Sequence, residues 1–386
     1  MDPVPHWSDP ALIPEAPFEP AWGIVTQAGQ ELLPLDRIIE RTQEPPGRTL
    51  WNGLPERPDI TFVTRPGSRQ IVPARECPEL RDAFLRRDER TLAEQRTKIA
   101  WMFFPALALT AWLATAFPSG VVLPAVITVW LGADLADAWI ALGQLRRNPT
   151  GYLATQSARL RYALWLQRVG AQYRCRTCVV AITWVVIAGV QAFAPGDSVA
   201  AAGLVKASIP SEPWRLLTAP MLHGGLLHIV MNASAMLSLG ALLERGVHRN
   251  LVSIVWLVGA LCGSLASWAA SPISSVGASG GILAVLAFLA VMAWRERGEL
   301  PPGYASSMAR SLVVIAVLGV LAWQSLDNAA HAGGAVAGAA IAAWLFRRPT
   351  PLPIADTPAL RFAGHASDAA FLVIALFTIA KVLAFP

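Results

Sequence analysis

Hydrophobic residues in this chain fall into long blocks that are separated by short polar connections. Each block holds about 20 residues, the length that an α-helix needs to cross the hydrocarbon of a bilayer. Hydrophobic residues make up 54% of the 386 and charged residues only 15%, so the pattern predicts an all-α polytopic membrane protein. The nine predicted spans are residues 99–118, 120–142, 178–195, 223–243, 251–270, 278–294, 309–325, 329–346 and 370–385.

The first 97 residues have a different character. Residues 1–77 contain 13 of the 30 prolines together with charges of both signs, and two stretches, Trp22–Leu35 and Ile60–Val72, have the residue pattern of β-hairpins. We therefore expect a small cytosolic region, with β-structure, that leads through a charged helix at residues 78–98 into the membrane. The predicted segments are residues 1–97, two extra spans at 98–145, a basic connection at 146–177, a six-helix core at 178–350, and a linker with a last span at 351–386.

Positive charge concentrates in every second connection between spans. Residues 143–177 carry seven arginines and no acid, and the later even-numbered connections are also basic. Because cytoplasmic loops are enriched in Lys and Arg, this pattern predicts a cytoplasmic N-terminus and an outer C-terminus. It is a membrane topology signal and does not indicate a nucleic-acid partner. We find no leader peptide pattern, so the first span is expected to act as its own insertion signal, and a bacterial inner membrane is the expected location.

The four cysteines give no sign of a metal site. Cys175 and Cys178 form a single C-x-x-C pair, whereas a zinc site needs two further ligands at suitable spacing. We expect these two residues to be reduced thiols and predict neither a metal nor an organic cofactor.

Ser279 and His331 are the candidates for chemistry. On the predicted topology, the helices that begin near Ser279 and Asp327 both descend from the outer face, so the serine and the histidine lie at similar depth. Polar side chains in hydrocarbon cost free energy unless they have partners, which makes each of them a functional candidate. A serine with a histidine base and nearby donors is the set that acyl transfer requires. The simpler alternative is that Ser279 only belongs to a packing face of small residues, with its hydroxyl bonded to its own helix.

Further polar and small residues complete this set. His228 and Asn232 are four residues apart and therefore project from one face of a predicted helix that also includes His223. Gly334 and Gly338 form a small-xxx-small ridge that would let the His331 helix approach another backbone closely, and we expect that backbone to be the one of the Ser279 helix.

Five motifs, in this order along the chain, resemble those of the rhomboid intramembrane serine proteases. They are Trp214-Arg215, His223-x4-His228-x3-Asn232, Glu244, Gly277-Ala278-Ser279-Gly280, and Ala330-His331 followed by Gly334 and Gly338. The resemblance implies a Ser279–His331 dyad and structural roles for His223, Trp214, Arg215, Glu244, Gly334 and Gly338. It also implies an oxyanion and substrate-binding site formed by His228, Asn232, Gly277 and Gly280. The resemblance further implies a six-helix rhomboid-like core, with two extra transmembrane helices before it and one after it.

Two positions depart from this set or add to it. Many family members carry an aromatic residue four positions after the serine, beside the histidine ring, where this chain has Leu283. Asp327, one turn before His331, is expected to cap its helix, although orienting His331 is an alternative.

The resulting functional hypothesis is an intramembrane serine endopeptidase. It would cut transmembrane protein substrates near the outer end of their spanning helix, inside the lipid bilayer; the sequence does not predict an oligomeric state. One alternative is a catalytically weak or inactive rhomboid-like protein that binds transmembrane segments. A proton-coupled transporter is the other, but it would predict internal repeats or paired broken helices, and we recognise neither in the sequence.

Overall fold

The structure, a computed structural model, describes residues 13, 15–17, 19, 21–26, 29–43, 61–116, 122–170, 176–323 and 326–385. The chain divides into two compact units, residues 1–165 and residues 166–386. Helices dominate both units, and thirteen α-helices and four short strands lie within the described ranges. The finer predicted division, at residues 97, 145, 177 and 350, stays a prediction.

The first unit contains a four-stranded antiparallel sheet in the order β2-β1-β3-β4. Gly67 supplies the turn of the second hairpin at a φ of +70°, a conformation that favours glycine. Both hairpins predicted from the sequence are therefore confirmed. The strands are β1 (Gly23–Thr26), β2 (Gly29–Leu32), β3 (Phe62–Thr64) and β4 (Ile71–Pro73).

A shared core joins this sheet to the helices of the same unit. Helix α1 (Leu35–Gln43) contributes Ile38 to a cluster of buried side chains that also holds Val63 and Phe84. Phe84 belongs to α2 (Arg81–Ala116), a 36-residue helix whose charged first turns continue into an apolar half. The predicted charged helix that leads straight into the first span is thus confirmed.

Two more helices follow in this part of the chain. Helix α3 (Val122–Arg147) is the second predicted span. Helix α4 (Pro149–Gly170) occupies most of the basic connection, where the hydropathy pattern predicts no helix. Its sequence is rich in Ala, Leu, Arg and Gln, all of which favour helix, so residue propensity accounts for it better than hydropathy does.

Nine of the described helices correspond to the nine predicted spans, and the protein is an integral multi-pass membrane protein. Seven helices are long and apolar enough to cross a membrane; of the other two, α10 has 17 residues and α12 is rich in Gly and Ala. The helices of the second unit are α5 (Arg176–Phe193), α6 (Ser198–Ala202), α7 (Arg215–Thr218), α8 (Leu226–Leu243), α9 (Leu251–Ala270), α10 (Ser279–Arg295), α11 (Tyr304–Leu321), α12 (Asn328–Leu345) and α13 (Pro358–Ala384).

Two details of the sequence prediction were wrong. The last helix begins twelve residues before the predicted start at residue 370, because Thr357 caps a polar first part of the helix through the backbone N–H of Leu360. Cys178 is disulfide-bonded, not a reduced thiol, while Cys175 lies outside the described residues.

Helix α10 is the centre of the second unit. Twelve of its 17 residues are buried, and it packs between α9 and α12. The segment before α10 pairs with the loop at residues 196–222 through backbone hydrogen bonds between Leu204 and Ser275. Helix α8 follows that loop, and Asp327, just before α12, bonds to Ser267 near the end of α9. The starts of α8, α10 and α12 therefore lie at the same end of the bundle.

Candidate active site

Ser279 and His331 lie side by side at this end of the bundle. The Oγ of Ser279 is 2.8 Å from the Nε2 of His331, although 52 residues separate them in sequence. Each side chain stands in the first turns of its helix, Ser279 at the start of α10 and His331 one turn into α12. For Nε2 to accept the serine proton, the neutral ring of His331 must carry its own proton on Nδ1. The pair has the geometry of a nucleophile with its general base.

Glycines allow α12 to approach α10 closely enough for this contact. A Cβ on Gly334 would lie 1.9 Å from the carbonyl oxygen of Gly280, and one on Gly338 would lie 1.9 Å from that of Ala284. No side chain fits at such distances, so the two backbones touch directly. The close approach is the one that the small-residue ridge predicted.

On its other side, α10 is held by α9. A Cβ on Gly259 would lie 2.1 Å from the Cβ of Ala284, and one on Gly263 would lie 2.7 Å from the carbonyl oxygen of Ala330. Gly263 therefore contacts the start of α12 next to His331. Three backbones converge at the level of the Ser279–His331 pair, which fixes the relative positions of both side chains.

His228 borders the loop that leads into Ser279. Gly277 has a φ of +136°, and a Cβ there would lie 2.7 Å from Cε1 and 2.9 Å from Nε2 of the His228 ring. The Nδ1 of His228 accepts a hydrogen bond from the backbone N–H of Gly224 at 3.2 Å. The neutral ring therefore keeps its proton on Nε2, which faces the Gly277 backbone two residues before Ser279.

Asn232 lies one helical turn further along α8, on the same face as His228. Its side chain is buried, and its Nδ2 has no hydrogen-bond partner among the described residues. A buried donor without a partner costs free energy, so an unpaired amide at this position calls for a physical reason. An amide that is kept free to receive a negative oxygen of a substrate supplies such a reason.

Asp327 caps helix α12. Its Oδ1 accepts from the backbone N–H of Ala330 at 3.0 Å and its Oδ2 accepts from the hydroxyl of Ser267. No hydrogen bond joins its carboxylate to the ring of His331 in the part of the chain that the structure describes. The geometry therefore supports the capping role over the orienting role.

The second unit is similar in sequence to a known family of domains. Residues 210–348 match the model of the Rhomboid domain family, and this range contains Ser279, His331, His228 and Asn232. These residues are therefore similar to a Rhomboid domain.

Several known rhomboid proteins are similar in sequence to part of this chain. Rhomboid protease GluP of Bacillus subtilis is 33% identical over 130 residues, which cover 33% of this chain and 25% of that protein. Rhomboid protease GlpG of Pectobacterium atrosepticum is 33% identical over 140 residues, covering 34% and 48%. Rhomboid-related protein 2 of Mus musculus is 38% identical over 109 residues, covering 28% and 35%. The chain thus spans between a quarter and about half of the length of these relatives.

Glu244 supports the second unit at the end opposite the Ser279–His331 pair. Its buried carboxylate accepts from the backbone N–H groups of Arg176 and Thr177, at 2.8 and 3.1 Å, and from the hydroxyl of Thr177 at 2.6 Å. These bonds satisfy free N–H groups in the first turn of α5. Glu244 therefore joins the end of α8 to the start of α5.

Trp214 and Arg215 organise the loop at residues 196–222. Arg215 is buried and donates to the carbonyl oxygens of Gly203 and Ala200, both at 2.9 Å, which ties two parts of the loop together. Its guanidinium also lies 4.7 Å from the centroid of the Trp214 ring. On α13, the ammonium of Lys381 lies 4.6 Å from the same centroid, so the helix after the matched region contacts the loop.

His223 does not belong to α8, contrary to the prediction that placed it on one helix with His228 and Asn232. The helix begins at Leu226, because Gly225 has a φ of +131° and breaks the preceding backbone. The Gln191 side chain binds both backbone groups of His223, at 2.9 and 3.1 Å. The ring of His223 packs 5.4 Å from that of His228 and thus lines the back of the site.

Sequence reasoning missed a polar cluster around Asp327. The ammonium of Lys206 donates to the hydroxyls of Ser267 and Ser275, and Ser267 in turn donates to Asp327. Burial lowers the pKa of Lys206. These residues come from the loop, from α9 and from the segment before α10. No sequence motif links these residues. The one signal in the sequence was that Ser267 is a polar residue in a mainly apolar stretch.

Proposed function

We propose that this protein is an intramembrane serine endopeptidase that cleaves transmembrane protein substrates within the bilayer. The 2.8 Å contact between the Oγ of Ser279 and the Nε2 of His331 carries the proposal, because a serine hydroxyl becomes nucleophilic near neutral pH only beside a base. The Rhomboid protease names of two relatives also support it.

In the first step, the Ser279 Oγ attacks the carbonyl carbon of the scissile peptide bond. The hydroxyl proton moves to the Nε2 of His331 as the new C–O bond forms. The carbonyl oxygen becomes an oxyanion, and we assign its stabilisation to Nε2–H of His228 and Nδ2–H of Asn232. The free Nδ2 of Asn232 and the tautomer of His228 support this assignment.

In the second step, the tetrahedral intermediate collapses and the C–N bond breaks. His331 gives its proton to the departing amine, which leaves Ser279 as an acyl ester. A water molecule then attacks the ester carbon while His331 removes a proton from the water. Collapse releases the new carboxyl end and returns the proton to Ser279. The side chains named here carry every proton transfer.

The positive φ of Gly277 and the small residues around Ser279 also fit a role in substrate access. A residue with a side chain at position 277 would collide with the His228 ring, and a Cβ at position 280 would lie 3.2 Å from the carbonyl oxygen of Ala330. We propose that Gly277 and Gly280 let the substrate backbone reach the serine. The substrate class is a spanning helix that unwinds readily, cut at the end of the membrane where the Ser279–His331 pair lies. We further propose a bacterial inner membrane, with the N-terminus in the cytoplasm and the C-terminus outside.

The test compares cleavage of a model substrate with a helix-destabilising spanning segment. Wild type, Ser279→Ala and His331→Ala are reconstituted at equal amounts, with Ser238→Ala as the matched control, since the Ser238 hydroxyl donates to the carbonyl oxygen of Ser234 on its own helix. We expect cleavage by wild type and the control only, with a loss of about 10⁴-fold or more in the other two. A fluorophosphonate should label wild type and Ser238→Ala, and leave Ser279→Ala unlabelled.

Two outcomes would contradict the proposal. Cleavage that survives Ser279→Ala would remove the serine from the mechanism. A wild-type protein that neither cleaves nor reacts with the fluorophosphonate, yet co-purifies with spanning helices, would favour the alternative of an inactive rhomboid-like protein that binds transmembrane segments.

A further inference from the structure

A basic cavity lies at the end of α10 and α12 opposite Ser279 and His331. Its volume is about 270 Å³. One wall comes from the end of α10 and the other from the residues that follow α12, so the cavity lies between the two helices that carry the proposed dyad. The lining residues are Trp294, Arg295, Glu296, Arg297, Phe346, Arg347, Arg348 and Pro349.

The cavity has a strong excess of positive charge. Among the described residues, none of its four arginines forms an ion pair with a carboxylate, in contrast to Arg176, which pairs with Asp368 at 3.0 Å. The one acid of the lining, Glu296, is buried and accepts from the backbone N–H of Thr350 at 3.3 Å. Burial raises the pKa of Glu296. Four arginines therefore line this cavity without a paired carboxylate from the described part of the chain.

Two tryptophans indicate at which level of the membrane the cavity lies. Trp294 and Trp344 are both about two-thirds exposed, and each stands next to an arginine at its helix end, with Arg295 and Arg347 at 5.9 and 5.0 Å from the ring centroids. Tryptophan and arginine at the end of a spanning helix are typical of the boundary between hydrocarbon and lipid headgroups. Lipid phosphate groups lie at that level.

Helix capping and membrane topology each account for only some of these arginines. Arginine at a helix C-terminus interacts favourably with the last carbonyl groups, and Arg347 lies 3.5 Å from the carbonyl oxygen of Trp344. A topology signal needs positive charge at this end of the bundle but no particular position. Arg245 and Arg361 would serve that purpose equally well, yet neither lines the cavity. Convergence of four arginines on one cavity requires a further reason.

We propose that this cavity binds the phosphate of an anionic phospholipid headgroup, which thereby bridges the ends of α10 and α12. Guanidinium groups suit this ligand because their fork of N–H donors matches phosphate oxygens. The exposed Trp294 side chain beside the cavity gives the lipid's glycerol and acyl region an apolar surface, which free phosphate would not use. A bridging headgroup holds together the two helices that position Ser279 and His331.

The experiment measures lipid binding by the full chain, purified in a neutral detergent, by native mass spectrometry. The probes are short-chain phosphatidylglycerol, short-chain phosphatidylcholine and inorganic phosphate. The test variant is Arg347→Gln/Arg348→Gln, and the matched control is Arg245→Gln/Arg361→Gln, which removes the same charge at the same end of the bundle but outside the cavity. Circular dichroism checks that both variants keep their helical content.

We expect wild type to bind phosphatidylglycerol in preference to phosphatidylcholine. The test variant should bind phosphatidylglycerol at least about 10-fold more weakly, and the control within about threefold of wild type. Equal losses in the two variants would reduce the effect to bulk charge and overturn the proposal. Equal binding of phosphatidylcholine would do the same, and inorganic phosphate of matching affinity would make this a free-phosphate site. Because the readout is binding, it is independent of whether the protein cleaves peptide bonds.

Discussion

Helices α10 and α11 are consecutive and of nearly equal length, yet they are packed in opposite ways. Twelve of the 17 residues of α10 are buried, whereas only Met308 and Gly319 are buried among the 18 of α11. Helix α10 has a neighbour on both sides that touches it through glycines. The contrast indicates that the domain concentrates its close packing on the helix that carries Ser279 and leaves the next helix loosely held.

The physical reason lies in the solvent. Between helices in a membrane there is little hydrophobic driving force, because lipid tails are as apolar as the side chains they would replace. Close contact must come from dispersion between backbones, and small residues permit it. Helix α12 supplies them at Gly334 and Gly338, while the large aliphatic residues of α11, such as Val313 and Val320, remain exposed.

The largest effect is expected where this packing is broken. Gly338→Val would place a side chain 1.9 Å from the carbonyl oxygen of Ala284. That oxygen belongs to the backbone of α10, so it can move away only at a large cost in free energy. We expect a loss of more than about 3 kcal/mol of stability, measured as a lower unfolding temperature and aggregation during purification. Ala340→Val, at an exposed position on the same helix, is the control; similar behaviour of the two variants would mean that the α10–α12 contact is not tight.

A second test asks whether His228 and Asn232 of α8 serve chemistry or only packing. His228→Ala and Asn232→Ala each remove one proposed oxyanion donor, so kcat should fall by about 10²–10³-fold. KM and the unfolding temperature should change little, which separates this role from a structural one. A large drop in unfolding temperature with unchanged kcat in the remaining folded protein would assign both residues to packing instead.

The next two predictions use the same substitution in the two helices. Val285→Ala removes two methyl groups from a fully buried position of α10, where neighbours cannot close the space. A destabilisation of about 2 kcal/mol is expected from the cavity and the lost contacts. Thermal unfolding of the purified protein in detergent measures it, and a change below about 0.5 kcal/mol would contradict the close packing of α10.

The smallest effect is expected for Val320→Ala in α11. Its side chain is 72% exposed, so lipid or detergent tails replace the lost methyl groups. Stability should change by less than about 0.5 kcal/mol in the same unfolding assay. A loss as large as that of Val285→Ala would show that the exposed face of α11 is covered in the intact protein.

Regular periodicity and local residue chemistry account for most of what could be predicted. The apolar blocks located nine of the ten long helices among the described residues, and the Pro66-Gly67-Ser68 turn located one hairpin. Helix ends were less accurate, since they depend on single residues: the break at Gly225 moved His223 off α8, and the Thr357 cap extended α13. Helix α4 was missed because its signal is propensity, whereas charge dominates the pattern of that connection.

The amino-acid sequence was enough to predict the class of protein, the family and the residues that the motifs single out. It could place Ser279 and His331 at a common depth, because depth follows from the order and direction of the spans. The neighbours at that depth came only from the three-dimensional fold: the 2.8 Å contact of the pair, the tautomer of His228, the free amide of Asn232 and the Lys206–Ser267–Asp327 cluster. Neighbours of this kind come from helices far apart in sequence, and their distances depend on how closely glycines let the backbones approach.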